Sequence, residues 1–173
     1  MTDFAEMLEL EIPSFGWINW DTRFDELAPH FPEWNISTRD DDPTCPDCLP
    51  GTCPRRSAVI ITSGKVCGAD AVTHLNFCNG KLCAVHYFFD PTAVIGSQEF
   101  YALVECLRRR VTVSMGTPGM RTVIGDQPEV SFRWSEANLH VELRACENRD
   151  RELRLAAHDP SVCPSCFPPM EQA

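Results

Sequence analysis

The chain has 173 residues, enough for one domain with a real core, and its 43% apolar content suits a globular protein rather than a disordered one. No apolar run reaches the roughly 18–20 residues that a membrane helix needs, which excludes a helical membrane protein. The net charge of −10 is uneven: residues 1–44 hold eleven of the 25 acidic residues against Arg23 and Arg39, the rest is close to neutral, and Arg108-Arg109-Arg110 is the one basic patch, which argues against direct nucleic-acid binding.

Residues 1–44 form an acidic, Trp-rich N-terminal segment. Phe4, Met7 and Leu8 can share one face of a short helix. Trp17, Trp20 and Trp34 follow, among Phe15, Phe24 and Phe31. Aromatics in an acidic, Pro-broken stretch either wrap onto the body of the fold or offer anchors to a partner. Trp17 and Trp20 are the candidate partner-binding residues. Residues 39–44, Arg-Asp-Asp-Asp-Pro-Thr, read as a solvated linker.

A second unit is expected over residues 45–173. Its first part carries the strand candidate Ala58–Thr62 and the strand-like run Ala71–Phe77. Asn79-Gly80 reads as a tight turn that folds Cys83 back toward Cys78. Asp90-Pro91 supplies an N-cap with Pro at the first helical position. Ser97 caps a longer helix whose apolar residues Phe100, Leu103, Val104 and Leu107 keep a helical period, ending at Arg108–Arg110. Then the period becomes two: Val111, Val113 and Met115; Thr122, Val123 and Ile124; Val130, Phe132 and Trp134; Leu139, Val141 and Leu143; Leu153 and Leu155. That pattern predicts an antiparallel meander of four or five strands with one wet face. The expected fold class is α+β: a small zinc-stabilised domain with an antiparallel β-meander and one or two packed helices.

Ten cysteines require an explanation. The chain opens Met1-Thr2-Asp3-Phe4-Ala5-Glu6, with no signal peptide, so an intracellular, reducing setting is expected and metal is the main use of cysteine. Tetrahedral zinc takes four soft or borderline donors, and short CxxC or CxxH turns present two at once. Cys45, Cys48, Cys163 and Cys166 can form one all-cysteine site. Cys67, Cys78, Cys83 and His86 can form a second, with Cys53 and His74 as alternative ligands. About two zinc ions follow from that count. Cys106 and Cys146 fall in regular helix and strand patterns and read as small core residues.

His140-Val141-Glu142 with Cys163-Pro164-Ser165-Cys166 resembles the HxE…PCxxC signature of zinc deaminases, where Glu moves protons at a metal-bound water. That HxE should open a helix, whereas here it sits in an alternating strand pattern, and Val162 replaces a proline. An enzyme is not expected. Phosphate-loop, nucleophile-elbow and dinucleotide-binding motifs are absent. Cys78-x4-Cys83-x2-His86-Tyr87 resembles half of an AN1-type zinc finger.

Taken in order, several features resemble the adenovirus early-region-four 34K protein family. They are Trp20-Asp21 after a Trp-rich entry, the Cys45/Cys48 pair, His74-Leu75-Asn76-Phe77-Cys78 with Leu82-Cys83, Pro128-Glu129-Val130-x-Phe132, Leu139-His140-x-x-Leu143-Arg144, and the Cys163/Cys166 pair. The resemblance spans about residues 10–166. It implies a zinc-containing viral accessory protein, nuclear or cytoplasmic in the host cell. Such a protein recruits host elongin and cullin components into a ubiquitin ligase directed at host antiviral factors. Elongin-recruiting boxes have a Leu-x3-Cys core, and Leu49-x3-Cys53 fits it.

Overall fold

The computed structural model describes residues 11–12, 16–40, 56–89, 97–116, 118, 120–123, 129–136, 139–146 and 152–158. Most of them belong to one eight-stranded antiparallel sheet. Two short strands, β1 (Glu11–Ile12) and β2 (Gly16–Trp17), pair separately. The large sheet contains β3 (Ile36–Asp40), β4 (Arg56–Val66), β5 (Ala69–Cys78), β6 (Lys81–Phe89), β7 (Met120–Val123), β8 (Glu129–Glu136), β9 (Leu139–Cys146) and β10 (Glu152–His158). Its strand order is β3-β4-β5-β6-β10-β9-β8-β7. Two four-stranded meanders are therefore joined along a single seam, where β6 pairs with β10 from Phe89↔Leu153 to Ala84↔His158.

Side-chain alternation explains which face is dry. In β5, Ala71, Thr73, Leu75 and Phe77 are buried, while Val72, His74 and Asn76 turn to the other face. Val85, Tyr87 and Phe89 of β6, Leu155 and Ala157 of β10, and Val141 and Leu143 of β9 continue the same buried layer. Two turns set the registers of the first meander. Cys67 (φ 52°) and Gly68 (φ 79°) link Val66 to Ala69, and Asn79 (φ 51°) and Gly80 (φ 78°) link Cys78 to Lys81. Two-residue loops with both central φ values positive match the twist of a hairpin.

Two structures roof the dry face. The first is the helix α2 (Ser97–Met115), which packs on β8 and β9 through buried Phe100, Leu103, Leu107 and Val111. The Arg108 guanidinium lies 5.9 Å from the Phe132 ring centre on β8. The second is the segment from Ile18 to Phe31, which contains the one-turn helix α1 (Phe24–Leu27). Ile18 and Leu27 are fully buried, and Phe24 meets Phe77 edge-on at 5.5 Å. The Phe24 N–H donates to the Gly80 carbonyl at 2.9 Å, so this segment is tied to the β5–β6 turn.

The α+β class and the antiparallel meander agree with the coordinates, with differences of detail. The strand candidate Ala58–Thr62 is the centre of an eleven-residue strand. The helix does not stop at Arg110 but continues to Met115, so Val111, Val113 and Met115 are not a strand. Val111 lies one turn beyond Leu107 and is fully buried, which extends the helical stripe. Gly116 (φ 77°) ends the helix, its N–H donating to the Thr112 carbonyl at 2.8 Å. The arginines before it have a partner: Arg108 and Arg109 both donate to Glu105, at 2.7–2.8 Å. Residues 1–10 lie outside the described residues. The sheet crosses the boundary expected at residue 44, because β3 pairs with β4 from Ile36↔Ile60 to Asp40↔Arg56.

Two outcomes follow. Thr73 is 1% exposed, and among the described residues its hydroxyl has no hydrogen-bond partner. Replacing Thr73 with Val should raise stability by about 1 kcal/mol, because a buried unsatisfied hydroxyl costs roughly that much. A lower denaturation midpoint would show that the hydroxyl is satisfied. The hydrogen bonds from Arg108 and Arg109 hold the Glu105 carboxyl down at about 2. A carboxylate whose pKa is depressed by folding contributes stability above its unfolded pKa, and that stability is lost as pH falls through the folded value. Glu105→Gln should therefore cost under about 1 kcal/mol near neutral pH, with solvent screening, and the difference should close between roughly pH 4.5 and 2. Urea titrations of both proteins across that range read it out.

Candidate functional site

The described residue pair with the most chemistry is Cys78 and Cys83. Cys78 ends β5 and Cys83 lies two residues into β6. In a regular ladder Cys83 would share the parity of Val85 and Tyr87 and face the core. The register shifts instead: Phe77 pairs with Leu82 and Asn76 with Ala84, leaving Cys83 as the extra residue of a β-bulge. That bulge re-aims its side chain, and the Cys78 and Cys83 sulfurs lie 3.0 Å apart. With Ala84 they make a small buried cluster separate from the main core. The Cys83 thiol also donates to the Asn76 carbonyl at 3.3 Å.

Two sulfurs on one tetrahedral zinc stand about 3.8 Å apart, given Zn–S bonds of about 2.3 Å, and a disulfide holds them at about 2.0 Å. The observed spacing falls between the two, within about 1 Å of either. The spacing alone selects neither arrangement. Among the described residues no group of three or more His, Cys, Asp or Glu side chains gathers as a metal site.

The four residues expected to share one ion are not brought together. Cys67 occupies the turn at the far end of β5 from Cys78. Ten residues of strand separate them, roughly 30 Å at about 3.3 Å per residue. One metal cannot reach both. His86 lies on the same face as the thiols but two ladder steps from the bulge, paired directly with His74. Both rings turn to Phe88, at 4.7 Å for His74 and 6.2 Å for His86. Burial, helped by Arg154, pushes the His74 pKa down, which favours the neutral ring. Cys45, Cys48, Cys53, Cys163 and Cys166 lie outside the described residues, as does the Leu49-x3-Cys53 pattern. Cys106 is half-buried on α2.

The strand registers show which strand ends lie near the pair. β3 ends at Asp40, opposite Arg56, where β4 begins. Ser57 is opposite Cys78, and His158, the last residue of β10, is opposite Ala84. The end of β3, the start of β4 and the end of β10 therefore lie at the same end of the sheet as the thiol pair. In the sequence, Cys53 is three residues from Arg56 and Cys163 five from His158. Five residues of chain span at most about 18 Å, while β10 and β5 are about 10 Å apart.

The deaminase-like pair is placed on β9, not at the start of a helix. His140 Nδ1 lies 2.7 Å from the Ser135 hydroxyl. One Glu142 oxygen accepts from Arg133 Nε and the Ser131 hydroxyl, each at 3.0 Å. Glu142 is thus engaged in a cross-strand ion pair.

Of the candidate partner-binding residues, Trp20 is half-buried against the core, and the Trp17 side chain lies outside the described residues. Trp34 is the exposed one, at 85%. The sequence offers all three N-terminal tryptophans as packed or presented residues and singles out Trp17 and Trp20, because nothing local separates a packed Trp from a presented one. No described helix is long and apolar enough to cross a membrane.

No protein-family model matches the chain, and no curated protein matches it significantly. Among solved structures it is similar to a DUF4309 family protein, YjgB, from Bacillus subtilis subsp. subtilis str. 168. The likeness has 10% identity and a TM-score of 0.41, covering 90% of this chain and 92% of the other. It is too loose to support a conclusion about fold or function.

If Cys67 serves only the turn, Cys67→Asn should leave metal content unchanged and hold or raise the melting temperature, since Asn tolerates the left-handed conformation better than Cys. A fall in bound metal would return Cys67 to a site.

Proposed function

We propose that this chain is a zinc-stabilised viral accessory protein that acts by protein–protein contact, as an adaptor between host proteins. The observation that supports it most is the Cys78–Cys83 pair, aimed together by a bulge at the end of the sheet where β3 and β10 finish and β4 begins. In this reading Cys78 and Cys83 supply two donors. Thiols of the Cys45/Cys48, Cys53 and Cys163/Cys166 set complete the coordination, with His86 or His74 available to a second ion. Zinc would supply cross-linking rather than catalysis. The host-adaptor role, the elongin and cullin partners, and the nuclear or cytoplasmic setting come from the order of motifs shared with the adenovirus 34K family. Glu142, engaged with Arg133 and Ser131, is a strand residue in this account and not a proton shuttle.

The test is metal analysis of the native full-length protein, paired with thiol titration. About two zinc ions per chain are expected. Cys83→Ala should reduce that number and lower stability by several kcal/mol, because metal-binding energy is folding energy at such a site. Zero metal with Cys78 and Cys83 oxidised to each other would replace the zinc reading with a disulfide. For the adaptor role, co-purification with elongin and cullin subunits from transfected cells is the expected result, and their absence would remove the ligase assignment.

A further inference from the structure

Trp34 stands on the rim of the sheet and is 85% exposed. It sits in a single turn of 3-10 helix, Glu33–Asn35, closed by the Asn35 N–H donating to the Pro32 carbonyl at 2.9 Å. The next residue begins β3, one of the two outer strands of the sheet, which pairs with β4 alone among the described residues. Ser37 and Thr38 on that strand are exposed. An edge strand presents backbone donors and acceptors that can pair with a further strand. Trp is the aromatic most often found at the centre of protein interfaces and the best ring for a cation. Residues 18–40 carry a net negative charge, with Asp21, Asp25, Glu26, Glu33 and Asp40 against Arg23 and Arg39, and Glu33 is the immediate neighbour of Trp34. Arg23 is already bonded to Asp25 at 3.2 Å.

We infer that β3 and Trp34 together form a docking edge for an extended, Lys- or Arg-bearing segment of a partner protein. The segment adds to the sheet as a strand beside β3, with a cationic side chain over the Trp34 ring. Main-chain pairing supplies affinity without sequence preference, and the ring and carboxylates select for positive charge. The inference deepens the adaptor reading, since it assigns that adaptor one of its contact surfaces. Trp17 and Trp20 are not needed for it.

The experiment uses the full chain with its metal and two short peptides, one alternating Lys and Thr, the other Glu and Thr. Binding is followed by Trp fluorescence and by hydrogen exchange at the backbone amides of residues 36–40. The Lys–Thr peptide should bind, weaken with added salt, and slow exchange on β3, while the Glu–Thr peptide should not bind. Trp34→Ala should weaken binding at least about tenfold, with melting temperature and zinc content unchanged; Glu33→Lys should also weaken it. Equal binding by Trp34→Ala, equal binding of both peptides, or no protection on β3 would each overturn the inference. So would a concentration-dependent dimer that blocks the same amides, which would make a second copy of this chain the occupant. Zinc content is read on the same samples. A chain that holds zinc and captures cullin components yet ignores the peptide loses the docking edge and keeps the adaptor role; a chain without zinc loses the latter independently.

Discussion

The seam between β6 and β10 is the constraint on which the rest of the molecule depends. Each meander can form from neighbours in sequence, but neither alone makes the continuous dry face. The seam aligns Val85 with Ala157 and Tyr87 with Leu155, all buried, and so fuses two half-cores into one. It also decides where chemistry can occur, since pairing Ala84 with His158 delivers the end of β10 beside the thiol bulge. The pairing is non-local, and its loop-closure entropy must be spent before its contacts return anything.

Within that frame the bulge at Cys83 is a small deviation with a large effect. One extra residue converts a side chain destined for the core into the partner of Cys78. The turn next to it is pinned from both sides. Asn79 and Gly80 supply the left-handed backbone, and the Ile18–Phe31 segment clamps it through Gly80 and through the Leu82 N–H to Thr22 carbonyl contact at 3.4 Å. The same clamp brings the N-terminal residues into the core, so acidic character there does not mean detachment.

What was legible in the sequence was local. Period-two patterns at Val130–Trp134 and Leu139–Leu143 give β8 and β9, and Asn79-Gly80 gives its hairpin. Ser97 with Phe100, Leu103 and Leu107 gives the start of α2. The end of α2 was misread because Val111, Val113 and Met115 satisfy an alternating pattern as well as a helical one, and β-branched residues favour the former. The β4–β5 hairpin was missed in full length because Cys67-Gly68 looked like a ligand and a glycine, when it is a left-handed turn. The β6–β10 seam leaves no local trace, since either strand could satisfy its buried face against another neighbour. The bulge is equally silent, because alternation assigns Cys83 to the core. The placing of those strand ends at one end of the sheet needed the registers; no spacing in the sequence implies it.

The order in which this sheet closes matters during synthesis. β6 leaves the ribosome roughly sixty residues before β10 does, a gap of about 3–12 s at about 5–20 residues per second. Through that interval Val85, Tyr87 and Phe89 of β6 have no β10 to pair with, so a first meander that forms early carries a raw edge. Shortened products of translation would keep that edge permanently. An unpaired, apolar edge of that kind is a template for pairing with another chain, so products that stop short of β10 are expected to aggregate where whole chains do not.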